Sequence, residues 1–377
     1  MGLAVYVHIP FCVRKCNYCD FPSYPVAGMD VDGYLAAMGR EMSWYKGDIA
    51  GTEVSTLYVG GGTPSILANG QLEFLFEAIR HNFTFEADAE ISLEANPGTL
   101  DFSKLNLLKE LGVNRLSLGV QGLDPGLLKR LGRIHTPGQA LEAFDLARRA
   151  GFTNINLDLM HGLPGMTEEG WRQTLQQAVA LGPEHISVYG LIIEEETPFG
   201  LEYEAGSLEL PDEEERARMF AWSGEFLTES GYNHYEISNY ALPGRECRHN
   251  QVYWRNEKYL GFGAGAASYR HRVRRTNYRQ VGQYMAVVSQ GRLPLEEKEE
   301  TAPAQEISET MFLGLRLTAG VQRSWFLQRF GIELDQVYGD RVAALVSKGL
   351  LLDDGDSVRL SSSGILLANE VFCEFLP

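Results

Sequence analysis

The sequence is short of basic residues, of cysteine and of long apolar runs, and each shortage narrows what it can be. Its 377 residues hold 33 lysines and arginines against 50 aspartates and glutamates, a formal net charge of −17. A surface of that sign repels phosphate backbones and anionic headgroups, so no nucleic acid is expected as a partner. No stretch approaches the roughly 20 apolar residues that a membrane-spanning helix needs. The opening "MGLAVYVHIPFC" lacks the basic n-region of an export signal, and Tyr6 stands where a myristoylation signal requires Ser or Thr. Five unevenly spaced cysteines make no disulfide framework. The expected location is the cytoplasm. One local exception to the acidic balance, "SYRHRVRRTNYR" at 268–279, reads as a solvated strand and turn, with an anion-binding surface as the alternative.

What the chain does have is a repeated grammar in which an amphipathic helix ends at a glycine and a short apolar run follows. "KLNLLKELG" ends at Gly112 before "NRLSLGV", and "ALEAFDLARRAG" at Gly151 before "TNINLDL". "TLQQAVALG" ends at Gly182 before "HISVYGL", and "FAWSGEFLTESG" at Gly231 before "NHYEIS". Such glycines suit the left-handed position that ends a helix, and the runs suit buried parallel strands. Earlier, "LAVYVHI", "VSTLYVG" and "EISLEA" read as strands separated by helices around 31–47 and 70–81. That gives six or seven βα units over residues 1–240.

The unusual residues fall where those strands end: the cysteines after the first, Gly60-Gly61-Gly62-Thr63-Pro64 after the second, then Glu94, Gln121 and Asp158. Strand ends of a β/α barrel converge on one mouth, whereas a doubly wound sheet concentrates its site near one switch point. The expected fold is therefore α/β, an open, partial barrel of the TIM type. Residues 241–300 read as an extension. After "TAPAQ" at 301–305, residues 301–377 read as three helices, a hairpin turning at Asp354-Gly355-Asp356 and a further helix, a winged-helix-like module. The runs "DEEER" (212–216) and "EEKEE" (296–300) read as solvated helix starts or linkers.

Three of the five cysteines, Cys12, Cys16 and Cys19, sit within eight residues as C-x3-C-x2-C. Thiolates on one short loop suit the corners of an iron–sulfur cube, and three of them leave one iron open to a small chelator. Structural zinc would want a fourth ligand, for which His8 is the local candidate.

These residues carry a resemblance. "YVHIPFCVRKCNYCDF" is similar to the cluster loop of the radical S-adenosylmethionine (SAM) superfamily. "GGGTP", "SLEANP", "SLGVQ" and "LDLMHGLPG" extend the likeness, over nearly the whole chain, to the branch containing the oxygen-independent coproporphyrinogen III oxidases. The resemblance implies a 4Fe-4S cluster on the three cysteines, with the amino and carboxylate groups of SAM on the open iron. One electron could then cleave the sulfonium to a 5′-deoxyadenosyl radical. It also implies that Tyr6, Tyr18, Gly61, Gly62, Thr63, Glu94, Gln121, Arg133 and Asp158 contact SAM. By their own chemistry, the glycines free N–H groups for close approach, or make a tight strand-to-helix turn. The tyrosines can pack on the ligand or fill core. The carboxylates can hold ribose hydroxyls or an ammonium, and Gln121 and Arg133 polar and carboxylate groups.

Two features separate the chain from the oxidases. Phe21 stands where they carry a further cysteine, and eleven residues precede Cys12 where they carry a long extension. A third, "HNQVYW" at 249–254, resembles the H-N-x-x-Y-W signature of the HemW-type haem chaperones. That implies haem as cargo, with His249 as its axial ligand, Tyr253 and Trp254 covering a porphyrin face, and Cys247 as an alternative ligand. The plain reading is a turn and strand whose histidine hydrogen-bonds and whose aromatics fill core. The expected function is a haem chaperone on a radical SAM scaffold and not a catalyst; the alternative is a coproporphyrinogen III oxidase or related radical SAM enzyme. Expected partners are haem, a haem-acceptor protein, a small electron donor, membrane haem proteins met peripherally, and a second copy of the chain.

Overall fold

The computed structural model describes residues 2–376. Six strands, β1 (Leu3–Ile9), β2 (Glu53–Gly61), β3 (Thr84–Ala95), β4 (Arg115–Gln121), β5 (Ile155–His161) and β6 (His185–Gly190), pair parallel in chain order. Helices Val31–Tyr45, Asn69–Asn82, Phe102–Glu110, Pro137–Arg149 and Glu168–Ala180 connect them. Gly112 and Gly151 take the expected left-handed backbone after their helices, at φ 82° and 85°.

Side chains alternate across each strand, and here the alternation sorts them sharply. Val5, Val7, Leu57, Val59, Leu93, Leu116, Leu118, Leu157, Ile186 and Val188 are buried in the main hydrophobic core. The opposite face pairs Thr56 with Glu90, Ser92 with Arg115, Ser117 with Asn156 and Asp158 with Ser187. The inner face is therefore polar yet buried. Buried polar groups cost free energy unless partnered, so a polar lumen signals a site more than a packing core.

"NHYEIS" is not a seventh parallel strand as expected. It forms β7 (Asn233–Glu236), which turns into β8 (Asn239–Ala241), and β8 pairs antiparallel with β6. The barrel keeps six parallel strands that follow one another in chain order and stays open. On its other side β9 (Tyr259–Phe262) pairs parallel with β1, and β10 (Ala267–Arg270), β11 (Val273–Asn277) and β12 (Leu295–Glu300) follow antiparallel. The sheet order is β12-β11-β10-β9-β1-β2-β3-β4-β5-β6-β8-β7. "EEKEE" is thus an edge strand and not a linker, because the basic β11 runs beside it with Arg274 opposite Glu299.

Glu41, buried on the first helix, ties 241–300 to the barrel. Its carboxylate accepts from Gly263 N–H at 3.0 Å, Asn277 Nδ2 at 2.7 Å and the Tyr284 hydroxyl at 2.6 Å. Beyond it, helices Pro303–Gly314, Arg323–Phe330 and Leu334–Ser347 and a three-stranded sheet build the winged-helix-like module. The module has its own core around Met311, Phe326, Val342 and Phe375.

Candidate functional site

The 12–19 loop leaves β1 at the C-terminal end of the barrel and is pinned from two sides. Asn17 N–H and Nδ2 donate to the Leu131 and Arg130 carbonyls at 2.9 and 2.8 Å, and the Asn17 carbonyl accepts from Phe199 N–H at 3.0 Å. The turn after β2 presses on the loop: a side-chain carbon at Gly62 would stand 2.6 Å from the Phe11 carbonyl oxygen and 3.0 Å from Cys12 Sγ. Gly61, at φ 114°, lies against the His8 ring. Only glycine allows that close approach.

A cavity of about 520 Å³ opens here at the strand ends. Cys12, Cys16, Cys19, Tyr18, Gly61, Gly62, Thr63, Glu94, Gln121, Arg133 and Asp158 all line it, eleven of the thirteen expected site residues. Gln121 reaches it through a bulge, where the β4–β5 register shifts between Gly119 and Gln121 and Gln121 takes φ 66°. Phe21 and Ile192, 66% and 71% exposed, stand at the rim.

The thiols have donors aimed at them. Thr63 Oγ1 donates to Cys12 Sγ at 3.6 Å, and Arg133 Nη1 to Cys16 Sγ at 3.6 Å. Asn96 joins the two: its Nδ2 donates to Thr63 Oγ1 at 2.8 Å, and its Oδ1 accepts from Arg133 Nη2 at 2.5 Å. Asn96 was not among the expected residues, although it lies in the quoted "SLEANP", two positions after Glu94. Burial pushes the Cys12 and Cys19 thiols up, so a metal group taken as thiolate must displace protons.

The carboxylates sit deeper. Glu94 Oε1 accepts from the Tyr58 hydroxyl at 2.9 Å and Oε2 from Gly61 N–H at 3.0 Å. Burial, then the neighbouring Asp158, raises its pKa to about 7. Asp158 accepts from Ser117 Oγ at 3.0 Å and Asn156 Nδ2 at 2.8 Å, and burial raises it too.

A cube fits this donor set. Three thiols line one cavity with glycine backbone beside them, and the Thr63 hydroxyl and Arg133 guanidinium stand behind. Among the described residues no three His, Cys, Asp or Glu side chains converge on a single metal position, as a zinc site would require. Thiolates of a cube bind three different irons and need no such convergence.

Tyr6 and His249 do not line the cavity. Tyr6 lies beneath it, its ring 6.3 Å from that of Tyr58, with its hydroxyl 3.0 Å from His8 Nδ1. His8 Nε2 in turn meets the Pro22 carbonyl at 2.8 Å. "HNQVYW" is a helix, Arg248–Trp254, and not a turn and strand, and it closes the lumen below the site. Glu90 on β3 accepts from Arg248 N–H and His249 N–H, both at 3.0 Å, holding the helix start against the wall. His249 is 1% exposed. Its Nδ1 meets Thr56 Oγ1 and its Nε2 the Tyr253 hydroxyl, each at 2.9 Å. Burial, then Arg115, lowers its pKa to about 3. The expected axial ligand is therefore neutral but closed in this conformation, with neither ring nitrogen presented to a cargo. Cys247, fully buried and pushed up to about 12, is no ready thiolate either.

Residues 6–178 match the Radical SAM superfamily, and residues 302–367 the HemN C-terminal domain. The chain is 40% identical over 374 residues to Heme chaperone HemW of Bacillus subtilis (strain 168), covering 99% of both. It is 36% identical to Heme chaperone HemW of Escherichia coli (strain K12), covering 99% of this chain and 98% of that one. Among solved structures, coproporphyrinogen III oxidase (HemN) of Escherichia coli, described as a radical SAM enzyme, superposes with a TM-score of 0.86 at 27% identity. That match covers 99% of this chain and 90% of the oxidase. The full-length identity leaves one conclusion: the chain belongs to the HemW family of the radical SAM superfamily.

Proposed function

We propose that this chain is a haem chaperone, taking up haem and passing it to acceptor proteins from a scaffold that carries a 4Fe-4S cluster and SAM. The observation that carries the reading is the 40% identity to a HemW over 99% of both chains. In this reading Cys12, Cys16 and Cys19 hold the cluster, and Tyr18, Gly61, Gly62, Thr63, Glu94, Gln121, Arg133 and Asp158 surround SAM. Tyr6 acts from beneath through His8 and Pro22. When bound, the cluster supplies one electron to the sulfonium of SAM. The chain's own groups position it: Thr63 and Arg133 direct protons at the thiols, and Glu94 and Asp158 offer negative charge to a cationic ligand.

His249 is the proposed haem ligand, reached when the closed arrangement around it opens. Phe21 at the rim, where the oxidases place a cysteine, supports a carrier over a decarboxylase. A small electron donor, a second copy and membrane haem proteins belong to the same proposal. No helix among the described residues is long and apolar enough to cross a membrane, and the cytoplasm is the proposed location.

The HemN superposition favours a second reading, catalysis on coproporphyrinogen III. One anaerobic experiment separates the two. Cluster-reconstituted protein receives reductant, SAM and coproporphyrinogen III, and separately haemin. Haem uptake without vinyl product supports the chaperone; product formed together with 5′-deoxyadenosine overturns it.

A further inference from the structure

Resting on the haem-carrier reading, a second-level feature emerges around His249. We propose that the chain caps its own haem ligand: the Tyr253 hydroxyl occupies His249 Nε2, the nitrogen haem iron takes on loading, while Thr56 anchors Nδ1. The two ring nitrogens are held by different elements. Thr56 belongs to the barrel wall on β2, and its bond to Nδ1 spans 193 positions of sequence. Tyr253 sits four residues after His249 on the same helix, its ring edge-on to the imidazole at 5.1 Å. Ligand and cap therefore move together if the helix moves, and a rigid shift cannot uncap Nε2. Uncapping requires a change within the helix, such as rotation of the Tyr253 side chain.

His249 is buried to 1%, and burial raises the Tyr253 hydroxyl well above the usual phenol range, so both partners of the Nε2 bond are enclosed. Nδ1 faces the wall and is held by Thr56 Oγ1 at 2.9 Å. A ligating imidazole whose second nitrogen hydrogen-bonds a fixed partner keeps its orientation and tautomer, which is the part Thr56 plays. Glu90 fixes the backbone at the same point by accepting from His249 N–H.

A tethered hydroxyl competing for the iron-binding lone pair lowers haem affinity and refills the site as haem leaves. A carrier needs both effects, because it must release what it binds. Tyr253 thus sets affinity, and Thr56 is a positioning residue.

The test titrates haemin into cluster-reconstituted full-length protein under anaerobic conditions, following the Soret band. Tyr253→Phe removes the competing hydroxyl and keeps the ring. It is expected to bind haem roughly 2- to 10-fold more tightly, what one neutral hydrogen bond is worth. The gain is expected to vanish in Tyr253→Phe/His249→Ala. Thr56→Val is expected to weaken binding and shift the low-spin electron paramagnetic resonance signature of the bound haem, with Thr56→Ser restoring both. If His249→Ala abolishes binding but Tyr253→Phe binds no more tightly than the parent, the cap is wrong and the ligand stands. If His249→Ala binds like the parent, the ligand assignment itself falls and the cap with it.

Discussion

Asn96 and Arg133, 37 residues apart along the chain, meet through a 2.5 Å hydrogen bond at the barrel mouth. Through that bond and its second bond to Thr63, the Asn96 amide becomes the shared partner of two groups that donate to cysteine sulfur. Donors to sulfur stabilise the more negative, reduced state of a cluster. Asn96→Ala is expected to lower the cluster's reduction potential and the iron retained per chain. Asn96→Asp is expected to go further, since a carboxylate facing Thr63 draws its hydroxyl proton away from Cys12. Potentiometric titration by electron paramagnetic resonance checks this; an unchanged potential in both variants removes Asn96 from the network.

Gly62 tests the loop from the other side. A methyl group there meets the Phe11 carbonyl at 2.6 Å and Cys12 Sγ at 3.0 Å, so backbone must shift and Cys12 with it. Gly62→Ala is expected to lose most iron on reconstitution while the barrel stays folded. Gly70→Ala, where nothing lies within 4 Å, is the matched control and is expected to retain iron. Equal iron content in the two proteins would count against the close-packed turn as a cluster support.

The fold and mouth were legible because their signals are local. Helix-ending glycines, alternating strands and three cysteines in eight residues need no knowledge of tertiary contacts. Glu94 and Gln121 could be placed because they close strands, and strand ends of a barrel converge. Asn96 was missed for the opposite reason. An asparagine after a strand reads as a turn residue until Arg133 folds back onto it. "HNQVYW" shows the same limit: its letters fit a ligand or a plug, and burial is decided by Thr56 and Glu90, 193 and 159 positions away from His249. The "EEKEE" strand needed the basic β11 beside it to become regular structure.

Glu90 supplies a prediction about motion. It is buried, and its two oxygens accept both N–H groups that open the 248–254 helix, with Cys247 Sγ a further 3.6 Å contact. Bonds to a charged acceptor are worth about 1.5–3 kcal/mol each. Glu90→Ala is expected to loosen this helix selectively. Hydrogen exchange of residues 248–254 should accelerate at least tenfold, with little change in strands β4 and β5. Uniform acceleration across the barrel would mean that Glu90 supports the whole fold and not the helix.

Glu94 gives opposite pH dependences for folding and for ligand binding. Burial first, and then Asp158, raises its carboxyl from 4.5 to about 7. The folded chain therefore holds this proton more tightly than the unfolded one. Its stabilising contribution is complete below pH 4.5 and is lost as pH rises through about 7. SAM carries a sulfonium, which favours the ionised carboxylate. SAM affinity is expected to rise from pH 6 to pH 8, by up to roughly tenfold if the charge is fully coupled. Over the same range the melting temperature of the ligand-free protein is expected to fall. Glu94→Gln, which cannot ionise, should flatten the Glu94 part of both slopes. Equilibrium dialysis of SAM at pH 6, 7 and 8, beside thermal melts of both proteins, reads the two trends independently. An affinity that is the same at pH 6 and 8 in the parent would take Glu94 out of charge pairing with SAM, whatever the melting curves do.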